Sequence, residues 1–347
     1  MHFRMGLPAR WINYLPGKMT GSLRDTIFGI SGEKEFREAA LAVFRYQYDG
    51  NPVYRDFINA LGKTKSQVSS PVDLPYLPVG FFRNHKIITA GQPEQIIFES
   101  SGTTGTLPGK HFVSDLALYE ESFLGSFRLF YGEPSDFLII ALLPSYTERE
   151  GSSLVYMADK LIKESRHPLS GFYKGNNEGI FKAIRKGKSE GEKIILLGVS
   201  FALLDLAEDG PADFSGIIVM ETGGMKGRRK ELTRQELHHI LMKSFKLKSI
   251  HSEYGMTELL SQAYSKGDGI FYTPPWMKIV LRDPQDPLSV FDEPGRTGGI
   301  NIIDLANLNS CSFLSTGDLG RLHEDGGFEV LGRFDNSDIR GCNLMAE

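Results

Sequence analysis

Between Ser100 and Lys110 the chain reads Ser-Ser-Gly-Thr-Thr-Gly-Thr-Leu-Pro-Gly-Lys, directly after the apolar run Ile96-Ile97-Phe98. Small residues of this kind let successive backbone N–H groups converge on one anion, and hydroxyls and a lysine add donors, so the segment has the chemistry of a phosphate loop. Ser100, Ser101, Gly102, Thr103, Thr104 and Gly105 would surround the phosphates, with Lys110 as the nearby cation. The spacing is not G-x-x-x-x-G-K-[ST], which separates it from P-loop enzymes. On composition alone a Ser/Thr/Gly surface turn stays open as the alternative.

Further on, Tyr254-Gly255-Met256-Thr257-Glu258 offers a ring to stack on a base and a carboxylate, Glu258, to hold a Mg²⁺ that bridges phosphate oxygens. The same residues also read as a helix start capped by Thr257. In Ser315-Thr316-Gly317-Asp318 an aspartate after a tight turn can accept hydrogen bonds from ribose hydroxyls, and in 332–341, GRFDNSDIRG, Arg333 can reach a ribose or phosphate. Each of the last two is a weak signal alone, because Asp/Gly turns are common. Their order along one chain is the stronger observation.

The elements that must carry these clusters alternate in type. From 95 to 268, apolar runs near 95–99, 137–143, 193–199, 216–220 and 247–252 alternate with helix-length stretches at 116–130, 153–164, 177–186 and 233–245. That pattern predicts an α/β fold of mostly parallel sheets covered by helices, whose ligands sit beyond the carboxyl ends of the strands. Thr222-Gly223-Gly224 and Glu253-Tyr254-Gly255 follow such strands and are of the kind that line a site. Tyr146, Phe201 and Leu203 are candidates for an acyl pocket, and His251 for polarising a substrate carboxylate, although residues after strands more often simply pack. His238 and His239, on a charged helix without metal-ligand spacing, are expected at the surface.

Four segments follow. Residues 1–24 are an irregular N-terminal segment, 25–94 a helical part with two helices broken at Gly50-Asn51-Pro52, and 95–268 the α/β nucleotide-binding core. Residues 269–347, with short strands between Pro, Asp and Gly, form a smaller β-rich C-terminal subdomain.

With 347 residues, 39 Lys+Arg against 43 Asp+Glu and a net charge of -4, the chain has neither the basic field that draws in nucleic acid nor an acidic tail. Two cysteines, Cys311 and Cys342, are too few for a disulfide framework or a zinc site, and Cys311 reads as a packed small hydrophobe. No apolar run is long enough to span a bilayer, and no cleavable leader is evident, so a cytoplasmic protein is expected.

Taken together in this order, SSGTTGTLPGK, YGMTE, STGD and GRFDNSDIRG resemble the adenylate-forming superfamily of acyl-CoA synthetases, luciferases and peptide-synthetase adenylation domains. FRYQY…NPVYR, ETGGMKGR and the ending RGCNLMAE are similar to LuxE-type acyl-protein synthetases, the long-chain-fatty-acid–protein ligases. The resemblance covers residue 25 onward. It implies ATP and Mg²⁺ as cofactors, Ser100 to Thr106 with Lys110 around the phosphates, Glu258 on Mg²⁺ and Tyr254 beside the nucleotide. It further implies Thr222-Gly223-Gly224 at adenine, Asp318 at the ribose, and Arg333 as the hinge arginine. Pro-Gly-Lys stands where much of the superfamily has Pro-Lys-Gly.

The sequence stops just after the hinge motif, so a truncated adenylate-forming fold is expected, without the small domain that carries an adenylation lysine. Lys226 and Arg228 are candidate replacements. By the same resemblance Cys342 accepts the acyl group as a thioester, with Arg340 favouring the thiolate. The implied activity is activation of a carboxylic, fatty acid to acyl-AMP, transfer to Cys342, and delivery to a partner acyl reductase of the acyl-CoA reductase type. The alternatives are an acyl or aryl ligase using CoA or a carrier-protein thiol, and a non-catalytic nucleotide-binding subunit.

Overall fold

The computed structural model describes residues 22–100, 107–210, 212–223 and 232–334, leaving aside the side chain of Tyr146. Ser101–Gly105, Gly224, Lys226, Arg228, Arg340 and Cys342 therefore lie outside the described residues.

A parallel sheet forms the centre. Its order is Gly171–Phe172, Phe137–Leu142, Lys193–Val199, Ile218–Thr222 and His251–Tyr254, closed by the antiparallel strand Ala263–Ser265. Every residue of Phe137–Leu142 is buried, the near-continuous apolar pattern of a strand covered on both faces. Alternation splits the strand: Ile139 and Ala141 enter one core, while Leu138, Ile140 and Leu142 enter the other. Helices Asn177–Glu190, Ser200–Glu208 and Arg234–Phe245 supply the smaller core, which contains Ile180, Leu203, Leu237 and Phe245.

A second, mostly antiparallel sheet runs Ile270–Phe271, Phe328–Arg333, Phe313–Leu322, Thr297–Asp304, Met277–Arg282 and Val290–Phe291, and Leu77–Pro78 joins Phe313–Leu322 in parallel. The N-terminal helices lie on it. Helix Glu33–Gly50 ends where Asn51 caps Pro52–Ala60, so the Gly50-Asn51-Pro52 break produces the expected two helices. Fully buried Gln47 donates to Leu308 O (2.8 Å) and Ser312 Oγ (2.9 Å) and accepts from Ser312 N (3.0 Å), while Asn51 donates to Ser310 O (2.9 Å). These polar bonds bolt the helical part to the loop that follows strand Thr297–Asp304.

Five local expectations change. The run at 96–99 is no member of the parallel sheet: Ile96–Glu99 pairs only with Lys110–Val113 as an antiparallel hairpin. Ser200-Phe201 opens the helix Ser200–Glu208 instead of a loop, so Phe201 packs against both cores and Leu203 is fully buried. Thr316-Gly317-Asp318 lies inside strand Phe313–Leu322, and Thr257 sits in a turn without capping a helix. His238 is buried at 6% exposure, because it shares the sheet-facing side of its helix with Leu237, Leu241 and Phe245; His239 is exposed.

Candidate functional site

The hairpin Ile96–Glu99/Lys110–Val113 is closed at its neck by two bonds: Ser100 N donates to Gly109 O (2.9 Å) and Gly109 N donates to Ser100 Oγ (2.7 Å). A Cβ on Gly109 would come within 2.9 Å of Glu258 Oε1, so glycine is what lets the neck lie directly on that carboxylate.

Strand alternation decides the fate of Lys110. His111 turns inward and is buried, so Lys110 turns outward and pairs with Glu99 at 3.2 Å, with both side chains 48% exposed. Lys110 does not line the cleft described below; the expected phosphate lysine is held on the rim.

Glu258 belongs to no helix or strand, and its segment is held by side chains instead. His111 Nδ1 lies 2.8 Å from Thr257 O, and Asn307 Nδ2 donates to Glu258 O (2.8 Å). Asp304 accepts from Leu260 N (2.8 Å), Ser261 N (3.0 Å) and Ser261 Oγ. Backbone groups that a helix or sheet would satisfy are met one by one. Burial pushes the Glu258 carboxyl above its ordinary value, with Arg333 and Arg83 pulling the other way. A buried carboxylate under such stress, on a cleft wall, is suited to a divalent cation.

Tyr254 ends the strand His251–Tyr254 with its ring among Phe271 and Phe328, at centroid distances of 5.9 and 5.6 Å. It is buried. Its hydroxyl donates to Asp318 Oδ2 (2.9 Å), and Asp318 Oδ1 lies 3.3 Å from Arg333 Nε. The expected stacking ring therefore packs in the core, and its hydroxyl orients the aspartate. Register places Asp318 opposite Arg333 on adjacent strands, which is why two motifs distant in sequence meet.

Thr222 ends its own strand and donates to Glu253 Oε2; Gly223 follows at φ +67, a left-handed conformation that favours glycine. Behind them, buried Glu221 takes Arg234 Nε at 3.2 Å, with His238 Nε2 at 3.7 Å. Burial opposes the Glu221 charge, but His238 and Arg234 hold its carboxyl below the ordinary value. Arg234 also donates to Val330 O (3.1 Å), tying this strand end to the strand that carries Arg333.

Several of these parts face one cleft of about 290 Å³, though Tyr254 and Asp318 are not among its lining residues. Ser100, Thr222, Gly223, Glu258 and Arg333 all line it, as does Gly255. Missed by sequence reasoning as site residues are Arg83, Glu99, Arg149 and Gln262, together with Tyr119, Ser153 and Met157 on the helical side, whereas Glu253 lines the cleft as its place after a strand suggested. Phe201 and His251 are not among the lining residues: His251 Nδ1 lies 3.1 Å from the Tyr131 hydroxyl, inside an aromatic cluster with Tyr264. Cys311 is fully buried beside Phe313 O, and burial pushes its thiol up to about 12, in keeping with a packed small residue.

Burial pulls His111 and His251 down to about 4, at His111 against its bonds to Thr257 O and Asn307, which favour the charged ring. An unfolded histidine titrates near 6.5, so the unfolded chain takes up protons that the native rings refuse, and stability must fall as pH drops from about 6.5 towards 4. Urea denaturation across this range is expected to show that fall, reduced in a His111→Gln, His251→Gln double variant. An equal fall in the variant would remove these two rings as its cause.

No family model matches the sequence, and no curated protein matches it. In structure the chain is similar to 2-hydroxyisobutyryl-CoA ligase in an open conformation with 2-HIB-AMP and CoA, at a TM-score of 0.63 and 15% identity over 93% of this chain and 80% of that one. The postadenylation state of that ligase, with R3-HIB-AMP, aligns with the same TM-score and identity over 93% and 73%. O-succinylbenzoate coenzyme A synthetase from Bacillus subtilis, with ATP and magnesium ion, aligns at 0.45 and 19% identity over 68% of this chain and 49% of that one. The chain has the α/β fold of adenylate-forming enzyme domains. Among the described residues no helix is long and apolar enough to cross a membrane.

Proposed function

We propose that the chain is an adenylate-forming ligase that activates a carboxylic acid with Mg·ATP. The observation that carries this reading is the meeting of Glu258, the hairpin neck at Ser100, the Thr222-Gly223 strand end and Arg333, itself paired with Asp318, around one cleft. In this reading the substrate carboxylate attacks the α-phosphorus. The new P–O bond gives acyl-AMP, the bond to the β-phosphate breaks, and its electron pair leaves with pyrophosphate. The loop amides and the cleft arginines neutralise charge that grows on the phosphates, and positioning supplies the rest of the rate.

The donor set fits Mg²⁺. Glu258, a buried carboxylate on the cleft wall, would hold the ion, since Mg²⁺ commonly takes one or two carboxylates beside substrate phosphates. It would supply charge neutralisation at the phosphates. Asp318, oriented by Tyr254, would take the ribose hydroxyls, and Thr222 with Gly223 would form the wall beside the base.

The second half of the proposal is transfer of the acyl group to the Cys342 thiolate as a thioester, for a reductase partner, with a fatty acid as substrate. It is supported by the LuxE-type ending RGCNLMAE. Intact mass after incubation with Mg·ATP and a panel of fatty, hydroxy and aryl acids tests both halves. The expected product is an ATP-dependent, hydroxylamine-labile acyl adduct that disappears in Cys342→Ser. Pyrophosphate release without any adduct would move the acceptor to a carrier thiol or to CoA, the latter named for the ligase of similar fold. No release with any acid would sink the adenylation reading.

A further inference from the structure

We propose, on the adenylation reading above, that Arg83 and Arg149 form a cation pair that takes the pyrophosphate end of the nucleotide, one against each strand of the hairpin neck. Neither was singled out by the sequence, and both line the cleft.

Arg83 lies in the short helix Phe81–Asn84, which is pinned on two sides. Behind it, Val79 N donates to Ser315 O (3.0 Å), and Leu77–Pro78 pairs with the strand that bears Asp318. Beneath it, the buried Phe82 ring meets the His111 ring edge-on at 5.5 Å, and the Phe82 Cβ lies 3.7 Å from where a Gly109 Cβ would stand. Arg149 follows the turn Tyr146–Glu148 on the opposite flank. There Gly151 O accepts from Glu99 N (2.7 Å), on the edge of strand Ile96–Glu99 that does not face Lys110–Val113. Both arginines are therefore rooted within a few residues of Ser100 and Gly109.

Charge pairing separates them from the other cations near the neck. Lys110 is paired with Glu99, and Arg333 with Asp318. Among the described residues no carboxylate lies within ion-pair distance of Arg83 or Arg149. Two guanidinium groups without an ion-pair partner among the described residues line the cleft on either side of the Ser100–Gly109 neck, Arg83 close enough to Glu258 to lower its carboxyl, and a polyphosphate is the ligand whose several negative oxygens both could take. During adenylation the breaking bond places negative charge on the departing pyrophosphate, which is where this pair stands to act.

The test is calorimetric titration with inorganic pyrophosphate and Mg²⁺, beside ATP–pyrophosphate exchange with the acid panel, on the full chain. Each of Arg83→Ala and Arg149→Ala is expected to weaken pyrophosphate binding about tenfold or more, the loss of one charge-assisted contact. Arg83→Lys should recover part of it, and Lys86→Ala, which removes a surface lysine paired with Glu94, should bind as wild type. Pyrophosphate that does not bind the wild type, or binds both alanine variants as it binds the wild type, overturns the pair. Exchange that is present and unchanged in both variants overturns the pair and leaves the adenylation reading standing. Arginine-dependent pyrophosphate binding without exchange on any acid overturns that reading and keeps the pair.

Discussion

Glu258→Gln is expected to lower ATP–pyrophosphate exchange by about two to three orders of magnitude while leaving the fold as stable as wild type or slightly more so. Removing one preorganised charged group from a site where phosphate charge develops typically costs that much in rate. Stability moves the other way because the Glu258 carboxyl is buried at 8% exposure and pushed up by that burial. A carboxyl whose folded pKa is raised costs nothing at low pH, where it is protonated in both states. As pH rises through its ordinary value and then its raised one, the unfolded chain ionises more easily than the native protein, and stability falls. Glutamine removes that term, so the stability gap between variant and wild type should open with rising pH. Urea titrations from pH 4 to 8, in chelator so that no cation offsets the charge, would check it. The Glu258 backbone carbonyl, held by Asn307, is untouched by the substitution. If Glu258→Gln lost stability and activity together, the carboxylate would be a structural group and its assignment to the phosphates would fall.

Much of the scaffold was legible because periodicity and caps report burial directly. Strand Lys193–Val199 coincides with its apolar run, and the helix expected from 233 starts at Arg234 because Thr233 is its cap, with a capping box to Glu236. The failures have physical reasons. Ile96–Glu99 is apolar enough for a parallel strand, and composition carries no information on its partner. Ser200–Glu208 follows its strand with no intervening loop and is buried on several sides, so it lacks the polar face that marks a surface helix. At the site, Ser100, Glu258 and Arg333 were legible by type and order and meet at the cleft, yet the core packing of the Tyr254 ring and the outward turn of Lys110 were not, because strand alternation and register decide them. Arg83 follows a Pro-rich stretch that reads as a linker. Asp304 and Asn307 carry no sequence signal at all: their function is to satisfy the backbone of a turn far away in the chain.

That last point leads to the second large effect, Asn307→Ala, expected to cost about 2–4 kcal/mol, as loss of a buried polar network does. Asn307 is 1% exposed and uses its whole amide. Nδ2 donates to Glu258 O (2.8 Å) and to Cys311 O (2.9 Å), and two carbonyl acceptors leave no choice of orientation, so Oδ1 must face His111 Nε2 at 3.1 Å. Alanine would strand both carbonyls and the imidazole in a dry site, where each unmet group retains its desolvation cost. A water could enter the space, which is why the lower end of the range is about 2 kcal/mol rather than the sum of all three losses. Neighbouring Asn309, which accepts a single bond from the Tyr46 hydroxyl at 3.0 Å and is only half-buried, should cost about 1 kcal/mol or less when changed to alanine. The contrast matters for function because the Asn307 bond fixes the peptide of Glu258. With Asn307→Ala, exchange should fall mainly in kcat at temperatures where the variant is fully folded, since the carboxylate remains but its position is no longer set. Equal stability losses at Asn307 and Asn309, or a folded Asn307→Ala variant with wild-type exchange, would show that the Glu258 turn holds itself without this clasp.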